Sequence, residues 1–433
     1  MMALAWVYYS KRPLSNSELL HALAVDPDEQ EELDYTDVLS QRVVSDICAG
    51  LLVFDSKNGS VRFAHYSVHE YLEATGPDRW FPQAQSSIAR VCLRYLGSLK
   101  HTADSVTAAL LASYPFLRYA SQHWGSHASD GYHDGLDSLA LTFLDDEVKV
   151  DLAARVLDET VDESTGGNEK PPPIRAAKNQ AVQLCSRFGA VEFLNLLLAL
   201  PHNRHSATET DPAGYTALHW AARGGHTTAA LRLIAAGVVA DADAACGKTP
   251  LQWASKKGHD ATVAELLRCG ADPAAVATDG RTALHWAASQ GHADVVTRLL
   301  SDERVSACHK AKNGWTALDW AACSGNRAVT AYGVAREVNA PLVVHLMSGG
   351  NDYRGHEKVV LGLLDCGVNP NSRNTSGQTA LHWAAASGNK KIIRLLLDRG
   401  ADARVADQDG REPWQFARDN GTRDDVVRML AGP

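Results

Sequence analysis

The sequence predicts a mostly α-helical protein: a solenoid of short helical repeats, preceded by a small domain of helices with a β-hairpin and by a helical connector. Three observations lead to this prediction. One seven-residue motif recurs at a nearly constant interval in the C-terminal half. Two strand-like runs flank an Asn-Gly pair near the N-terminus. The stretch between these regions has the hydrophobic spacing of helices.

The bulk composition is that of an ordinary globular protein. Of the 433 residues, 45% are hydrophobic and 21% charged, and the formal net charge is -9. No apolar run approaches the roughly 18 residues of a spanning helix, and the apolar N-terminus lacks the preceding positive charge of a signal peptide. The eight cysteines are scattered without a Cys-x-x-Cys pair. We therefore expect a cytoplasmic protein, with the nucleus as the alternative, and no membrane partner.

The recurring motif reads Thr-Ala-Leu-His-Trp-Ala-Ala in its most regular copies. Its copies start at Thr216, Thr249, Thr282, Thr316 and Thr379, with a divergent copy at Glu412. Five of the ten tryptophans occupy one position of this repeat. Each copy follows a glycine and precedes a Gly-polar pair, and glycine favours the positive φ of tight turns. The unit is therefore a turn, a helix, a second turn and a second helix.

This motif and its 33-residue period resemble the ankyrin repeat, whose signature is Thr-Pro-Leu-His-x-Ala. The resemblance covers about residues 212–433, and a degenerate copy at 181–194 extends the predicted repeats to 177–433. Ankyrin repeats imply a stack in which each unit buries its apolar face against its neighbours. The resemblance also implies that His219, His285 and His382 bond loop backbone and tie adjacent turns, so we expect neither a metal site nor a catalytic one there.

One interval breaks the period. From Thr316 to Thr379 the spacing is close to two repeats, and removing residues 327–356 restores an uninterrupted pattern. This spacing favours an insertion at 327–356, such as a retained intron. Such a segment would project from the solenoid and would be poorly packed. The alternative is an eroded extra repeat that opens at Ala340.

The first 80 residues predict a winged helix. Ser15 and Glu18 have the spacing of a capping box that opens a helix. A further helix runs from Val38 to Ile47, and two β-rich runs flank Asn58-Gly59, a strong hairpin signal. Helices followed by such a hairpin describe the winged-helix fold.

The stretch Phe63-Ala64-His65-Tyr66-Ser67, together with Arg12-Pro13-Leu14-Ser15 and Cys48-Ala49-Gly50-Leu51-Leu52, resembles the winged helix of fungal NACHT-type signal-transduction ATPases. That segment is also known as the winged helix of GPI inositol-deacylase-like proteins. In the family it follows a nucleotide-binding domain and often precedes ankyrin repeats. His65 matches a histidine that reaches nucleotide phosphates in related sensors. Since this sequence lacks the ATPase domain, we expect a structural role for His65 and no cofactor.

Residues 81–160 read as a helical connector, and 161–176 as a Gly/Pro linker. No Gly-x-Ser-x-Gly elbow or His-Glu-x-x-His motif is present. His65 and His69 have the spacing of a helical zinc pair but no evident third ligand. Residues 1–80 contain six Lys/Arg and thirteen Asp/Glu. Because DNA affinity depends on neutralising phosphates, we do not expect the winged helix to bind DNA. The sequence therefore predicts no enzyme, no metal and no nucleic-acid partner.

Partners of ankyrin repeats usually contact the turn tips and the exposed ends of the first helices. By phase, these positions are Tyr215, Arg223, Lys248, Lys256, Lys257, Arg281, Ser289, Gln290, Trp315, Gln378 and Arg411. Trp315 is the first candidate, because Trp is a frequent binding hot spot and its phase is otherwise mostly polar. Local packing of this turn aromatic is the alternative. The basic members suggest an acidic or polar partner surface.

These features predict a non-catalytic scaffold or sensor that binds a partner protein through the concave face of its repeats. The alternative is the C-terminal sensor portion of a NACHT-type switch ATPase whose nucleotide-binding domain is missing from this chain. A NACHT ATPase is accordingly one candidate partner. The upstream reading frame would discriminate the two hypotheses.

Overall fold

A computed structural model describes residues 2–26, 38–55, 58–99, 106, 108–131, 135–164, 180–200, 203, 207–211, 214–244, 246–323, 353–422 and 424–431. Contacts divide the chain into two compact units. The first comprises Met1–Thr160 and Pro172–Pro212, and the second comprises Val161–Pro171 and Ala213–Pro433.

The first unit begins with the predicted winged helix. Its elements are helices α1 (Met2–Tyr9), α2 (Asn16–Leu23) and α3 (Gln41–Ile47), strands β1 (Leu52–Phe54) and β2 (Val61–Phe63), and helices α4 (Tyr66–Thr75) and α5 (Pro77–Trp80). The strands pair antiparallel with Val53 opposite Arg62. The hairpin turn holds Gly59 at a φ of +64°, which glycine adopts without strain. The predicted hairpin is confirmed.

The predicted capping box fixes the start of α2. The Glu18 backbone N–H donates to Ser15 Oγ at 3.2 Å, and the Ser15 N–H donates to Glu18 Oε2 at 2.7 Å. The guanidinium of Arg12 holds the same carboxylate through hydrogen bonds of 2.9 and 2.6 Å. Burial raises the pKa of Glu18, but the hydrogen bonds from Arg12 and Ser15 outweigh it and lower that pKa below its ordinary value.

The connector follows the winged helix. Its helices are α6 (Ala84–Gly97), α7 (Ala108–Ser113), α8 (Leu117–Asp130), α9 (Asp137–Asp145) and α10 (Glu147–Ser164). Trp6 of α1 is fully buried, and its ring lies 5.4 Å from Phe116 and 5.8 Å from Tyr119 of the connector. The winged helix and the connector therefore share one aromatic core, although their sequence patterns separate near residue 80.

The degenerate first repeat forms the expected helix pair, α11 (Gln180–Phe188) and α12 (Val191–Ala199). Its core contacts, however, lie in the first unit. The ring of Trp124 on α8 lies 5.5 Å from Phe188 and 6.2 Å from Phe193. Large aromatic side chains thus pack this pair against the connector.

The second unit is a stack of helix pairs. In chain order the helices are α13 (Ala217–Gly224), α14 (Thr227–Ala235), α15 (Pro250–Lys257), α16 (Asp260–Arg268), α17 (Ala283–Gln290), α18 (Ala293–Leu300), α19 (Ala317–Cys323), α20 (Tyr353–Asp365), α21 (Ala380–Ser387), α22 (Lys390–Asp398), α23 (Pro413–Asp419) and α24 (Asp424–Ala431). Each first helix packs against the first helix of the next repeat. The predicted ankyrin-like solenoid is confirmed.

The turn between the two helices of a repeat needs glycine for two reasons. Gly258 has a φ of +77°, which strains any residue with a Cβ atom. A Cβ placed there would also lie 2.5 Å from Nδ1 of His292 in the next repeat. The glycine therefore permits both the turn and the close stacking of consecutive repeats.

The predicted insertion at 327–356 lies outside the described residues except for its last four. These four belong to α20, and Nε2 of His356 lies 3.3 Å from the Ser289 carbonyl oxygen. His259 and His292 make the same contact with Arg223 and Lys256, at 3.0 and 3.1 Å. The expectation that 327–356 leaves the solenoid therefore does not hold at His356, which makes the contact that His259 and His292 make in the earlier repeats.

No helix within the described ranges combines the length and the apolar composition that crossing a membrane requires.

Candidate interaction face

The residues predicted to contact a partner fall into two rows of the solenoid. The first row consists of the residue before the N-cap of each first helix: Tyr215, Lys248, Arg281, Trp315, Gln378 and Arg411. The second row consists of residues at the C-terminal ends of the first helices: Arg223, Lys256, Lys257, Ser289 and Gln290. The structure places these rows in different environments.

A buried histidine holds the backbone of the first row. Nδ1 of His219 accepts the Thr216 backbone N–H at 3.0 Å, so its proton is assigned to Nε2, which donates to the Lys248 carbonyl oxygen at 3.0 Å. Burial lowers the pKa of His219 to about 4, although the backbone hydrogen bonds oppose this shift. The ring is therefore neutral at pH 7, and both its nitrogens are bonded.

The same arrangement recurs twice. His285 donates to the Trp315 carbonyl oxygen and His382 to the Arg411 carbonyl oxygen, each at 3.2 Å. Burial lowers the pKa of each to about 4. The prediction that these histidines tie adjacent turns is confirmed.

Three repeats carry another residue in place of this histidine: Gln252, Asp319 and, in the last repeat, Gln415. Gln252 preserves the tie, because its Nε2 donates to the Ala275 carbonyl at 2.8 Å and to the Arg281 carbonyl at 3.4 Å. Asp319 caps its own helix by accepting from the Thr316 N–H and hydroxyl, each at 2.8 Å. A carboxylate has no N–H to donate, so the histidine-type tie to the next turn lacks its donor there.

The first helices stack five buried indoles into a ladder: Trp220, Trp253, Trp286, Trp320 and Trp383. Four side chains of the first row lie between consecutive indoles of this ladder: Tyr215, Lys248, Arg281 and Trp315. Tyr215 is the first example, with its ring 5.7 Å from Trp220 and 5.9 Å from Trp253. The row that was expected to offer partner contacts is thus largely an internal layer between repeats.

Two cations continue this layer. Nζ of Lys248 lies 5.0 Å from the ring centre of Trp253 and 4.5 Å from that of Trp286. The guanidinium of Arg281 lies 4.5 Å from Trp286 and 4.0 Å from Trp320. Lys248 is only 7% exposed. The cation–π attraction offsets part of the cost of taking these charges out of water.

Trp315 is fully buried, so the expectation that it offers an exposed contact is wrong. Its ring centre lies 4.6 Å from Trp320 and 4.5 Å from Trp383. It fills the place that Lys248 and Arg281 fill in earlier repeats. An apolar ring gains from burial there without the desolvation cost of a charge. Gln378 is also buried.

The second row is the more accessible one. Lys257 is exposed, Arg223, Lys256 and Gln290 are half-buried, and Ser289 is buried. The guanidinium of Arg223 lies 4.8 Å from Trp253. Nζ of Lys256 lies 5.2 Å from Trp253 and 4.7 Å from Trp286. Arg223 and Lys256 of the second row therefore pack against the indole ladder from its more accessible side.

The last cation of the first row lies in a different setting. Arg411 lies over Phe416 at 4.8 Å and pairs with Asp407 at 2.9 Å and Asp409 at 3.1 Å. Its charge is therefore neutralised within the last repeat.

His65 and His69 of the winged helix make separate contacts. His65 is the N-cap of α4, and its Nδ1 accepts the Ser67 N–H at 3.2 Å. The ring of His69 stacks on Tyr8 and Tyr66, with centroids 5.1 and 5.9 Å apart. Throughout the described ranges, no group of three or more His, Cys, Asp or Glu side chains is placed to hold a metal ion.

An exposed apolar ridge on the winged helix was missed by the sequence reasoning. It consists of Leu39, Val43, Ile47 and Leu51, and Ile47 is 67% exposed. Val43 and Ile47 lie four residues apart on α3, a spacing that was visible in the sequence, and Leu39 and Leu51 flank that helix. Of the twelve exposed large hydrophobic side chains among the described residues, seven lie between 39 and 80. Such concentrations mark interaction surfaces.

Comparison with known families agrees with this architecture. The family described as "Ankyrin repeats (3 copies)" matches residues 179–277, 260–332 and 346–433. The family described as "GPI inositol-deacylase, winged helix domain" matches residues 2–81. The ankyrin matches together cover more than half of the chain. The chain therefore belongs to the ankyrin-repeat family, and it carries an N-terminal winged helix of the second family.

Individual relatives match within the repeats. The Notch-regulated ankyrin repeat-containing protein B of Danio rerio is 36% identical over 81 residues, which are 19% of this chain and 72% of that protein. The inactive serine/threonine-protein kinase TEX14 of Mus musculus is 45% identical over 76 residues, which are 18% of this chain. That match spans only 5% of the mouse protein.

The human ASB11 ankyrin repeat domain is a similar solved structure, with a TM-score of 0.47 and 23% identity. The match covers 58% of this chain and 98% of that domain. Ankyrin repeats are protein-interaction modules and are generally not catalytic.

Proposed function

We propose that this protein is a non-catalytic scaffold or sensor that binds a partner protein through the face formed by its two rows. The arrangement of that face carries the proposal. Its first row is locked between indoles and gives a rigid base, and its second row presents Arg223, Lys256, Lys257 and Gln290 on that base. A preordered surface loses little conformational entropy when a partner binds.

The chemistry of the buried histidines supports a non-catalytic role. His219, His285 and His382 have the proton on Nε2 and use both nitrogens for backbone contacts. A general base needs a nitrogen within reach of a substrate proton. These rings serve the geometry of the stack instead.

A photo-crosslinking experiment tests the interaction face. A benzophenone amino acid would replace Gln290 in the second row and, in a matched control, the exposed Arg394 on the second helix α22. In extracts of the source cells, we expect a discrete crosslinked product from position 290 and none from position 394. No product from position 290, or the same product from both positions, would contradict binding through this face.

We propose as a second candidate that the chain acts as the sensor portion of a NACHT-type switch ATPase. The exposed ridge of Leu39, Val43, Ile47 and Leu51 supports this candidate, because a winged helix docked on another domain would cover such a surface. His65 is also exposed at the end of the hairpin.

The second candidate predicts an effect of Ile47→Asp, which adds a charge to an exposed site. With a NACHT ATPase of the same organism as the probe, we expect co-purification with the wild-type chain and loss with Ile47→Asp. Val148→Asp, at an exposed apolar site of the connector, is the control. Absence of co-purification, or equal loss in both variants, counts against docking through the ridge.

A further inference from the structure

The winged helix carries two exposed aromatic rings that lie against each other at the end of α4. Tyr71 is 56% exposed and Trp80 is 37% exposed. Their ring centres lie 5.9 Å apart, and the ring planes are tilted by 53°. Large aromatic rings dominate the energetics of cores and interfaces when they are buried. An exposed pair of them is therefore a candidate binding site, and we call Tyr71 and Trp80 the aromatic pair.

Hydrogen bonds fix the geometry of the aromatic pair. The Trp80 indole N–H donates to Thr75 Oγ1 at 2.8 Å, and the Thr75 hydroxyl donates to the Tyr71 carbonyl oxygen at 2.7 Å. Trp80 is thus tied through Thr75 to the turn of α4 that carries Tyr71. Rings that are held in one arrangement before a ligand arrives lose little conformational entropy when it binds.

The arrangement of the two rings suits a cation. The face of an aromatic ring is negative and attracts a cation that lies within about 6 Å of the ring centre. Two tilted rings 5.9 Å apart can both lie within that distance of one cation. A proline-rich segment is a poorer match, because its backbone carbonyls need donors and the Trp80 N–H already has an acceptor.

The charge around the aromatic pair also favours a cation. Three carboxylates and one cation lie between residues 66 and 80, and all four are exposed: Glu70, Glu73, Asp78 and Arg79. Glu70 directly precedes Tyr71 on α4. Burial raises the pKa of Tyr8 on α1, and the charges of Glu73 and Asp78 raise it further. The negative potential on this side of the winged helix therefore attracts cationic ligands and repels anionic ones.

The repeats already use the same chemistry. The guanidinium of Arg223 lies 4.8 Å from the ring centre of Trp253, and that of Arg418 lies 5.2 Å from Trp414. Among the cation–π contacts of the described residues, none involves Tyr71 or Trp80. The aromatic pair therefore presents to solvent the kind of surface that other rings of the chain use to hold a cation.

We propose that the aromatic pair binds an Arg or Lys side chain from a basic segment of a partner protein. The cation lies against the two rings, and the carboxylates of α4 and α5 attract the rest of the segment. This site belongs to the first unit, whereas the proposed interaction face belongs to the second. The inference therefore goes beyond that proposed function and does not depend on it.

Fluorescence anisotropy of the whole chain with a short labelled peptide of alternating Arg and Ala tests this binding. We expect saturable binding of this peptide and none of the same peptide with Gln in place of Arg. A peptide with trimethyllysine in place of Arg should also bind. A quaternary ammonium keeps its attraction to the ring faces although it has no N–H to donate to a carboxylate.

The variant Tyr71→Leu/Trp80→Leu keeps apolar side chains and every charge but removes both ring faces. We expect its affinity for the Arg peptide to fall about tenfold, and that of Tyr71→Leu alone about threefold. The matched control is Trp414→Leu, which replaces a half-buried indole that Arg418 already covers. This control should keep wild-type affinity, and thermal unfolding should show that all three variants are folded.

Four results would overturn the proposal. They are no saturable binding of the Arg peptide, loss of binding when trimethyllysine replaces Arg, equal affinity losses in Tyr71→Leu and in Trp414→Leu, and tighter binding of an uncharged proline-rich peptide. Wild-type affinity in the single and double variants of the aromatic pair is the case in which both losses are zero. It would assign the attraction to the net negative charge of the chain alone.

Discussion

The junction that follows Asp319 is joined in a different way from the three junctions before it, and beyond it His382 again makes the tie to the Arg411 carbonyl. On the N-terminal side, His219, Gln252 and His285 donate to the next turn, and Tyr215, Lys248 and Arg281 fill the spaces between indoles. On the C-terminal side, Asp319 has no N–H to donate, and the buried ring of Trp315 joins Trp320 to Trp383.

This difference shows that two kinds of contact can join consecutive repeats of the same fold. A polar tie with a stacked cation keeps positive charge at the face, whereas an aromatic stack buries more apolar surface and keeps no charge. At the junction after Asp319, an apolar ring therefore fills the space that a cation fills in the two earlier junctions.

The largest effect expected is acid lability of the histidine-tied junctions. Burial lowers the pKa of His219, His285 and His382 to about 4, against an ordinary value of 6.5. Between pH 6.5 and 4 the unfolded chain binds protons that the folded chain does not. Stability is therefore full above pH 6.5 and falls as the pH drops, by up to ~3 kcal/mol per histidine. Urea unfolding midpoints between pH 7.5 and 4.5 measure this.

His285→Gln is the matched variant for the acid effect, because Gln252 makes the same tie without a titrating group. It should reduce the pH dependence of stability, and the remainder comes from His219 and His382. An unchanged pH dependence would mean that the buried ring does not resist protonation.

Trp315→Ala tests the aromatic junction. Loss of a fully buried indole between two others leaves a cavity, and we expect the free energy of unfolding to fall by about 3–5 kcal/mol. Trp414→Ala removes a half-buried indole of the last repeat and should cost less than about 1 kcal/mol. Urea unfolding followed by circular dichroism compares the two. Similar costs would contradict the role assigned to Trp315.

An exchange of residues tests the tie itself. His285→Asp removes the donor to the Trp315 carbonyl and should lower stability by about 2 kcal/mol, through the lost hydrogen bond and the unpaired carbonyl. Asp319→His supplies the missing donor and should raise stability by about 1 kcal/mol. Thermal unfolding at pH 7.5 measures the change in stability of both variants. If Asp319→His destabilises the chain, the aromatic junction has no room for the tie.

The smallest effect is expected from Arg281→Met. The methionine keeps much of the apolar contact with Trp286 and Trp320 and loses the cation–π attraction. We expect a change within about 1 kcal/mol in the free energy of unfolding. A markedly larger loss would show that the charge itself holds this junction together.

The period of the motif predicted the helix pairs, and its resemblance to the ankyrin repeat implied the histidine ties. Those features depend on local chemistry: Thr at the N-cap, glycine at positive φ, and an imidazole three residues after the cap. Exposure could not be predicted in the same way. Trp315 and Lys257 both occupy repeat positions that are mostly polar in the other repeats. The structure nevertheless buries Trp315 and exposes Lys257.

The sequence by itself determined the repeat, the winged helix and the residues that form each turn, because these follow from spacing and local conformational preference. Only the tertiary structure decided which side chains enter the space between repeats. It also decided that Phe188 and Phe193 pack on Trp124 and that His356 completes a repeat. The physical reason is that burial depends on what the neighbouring helix offers, and that neighbour can lie 29 or 67 residues away along the chain.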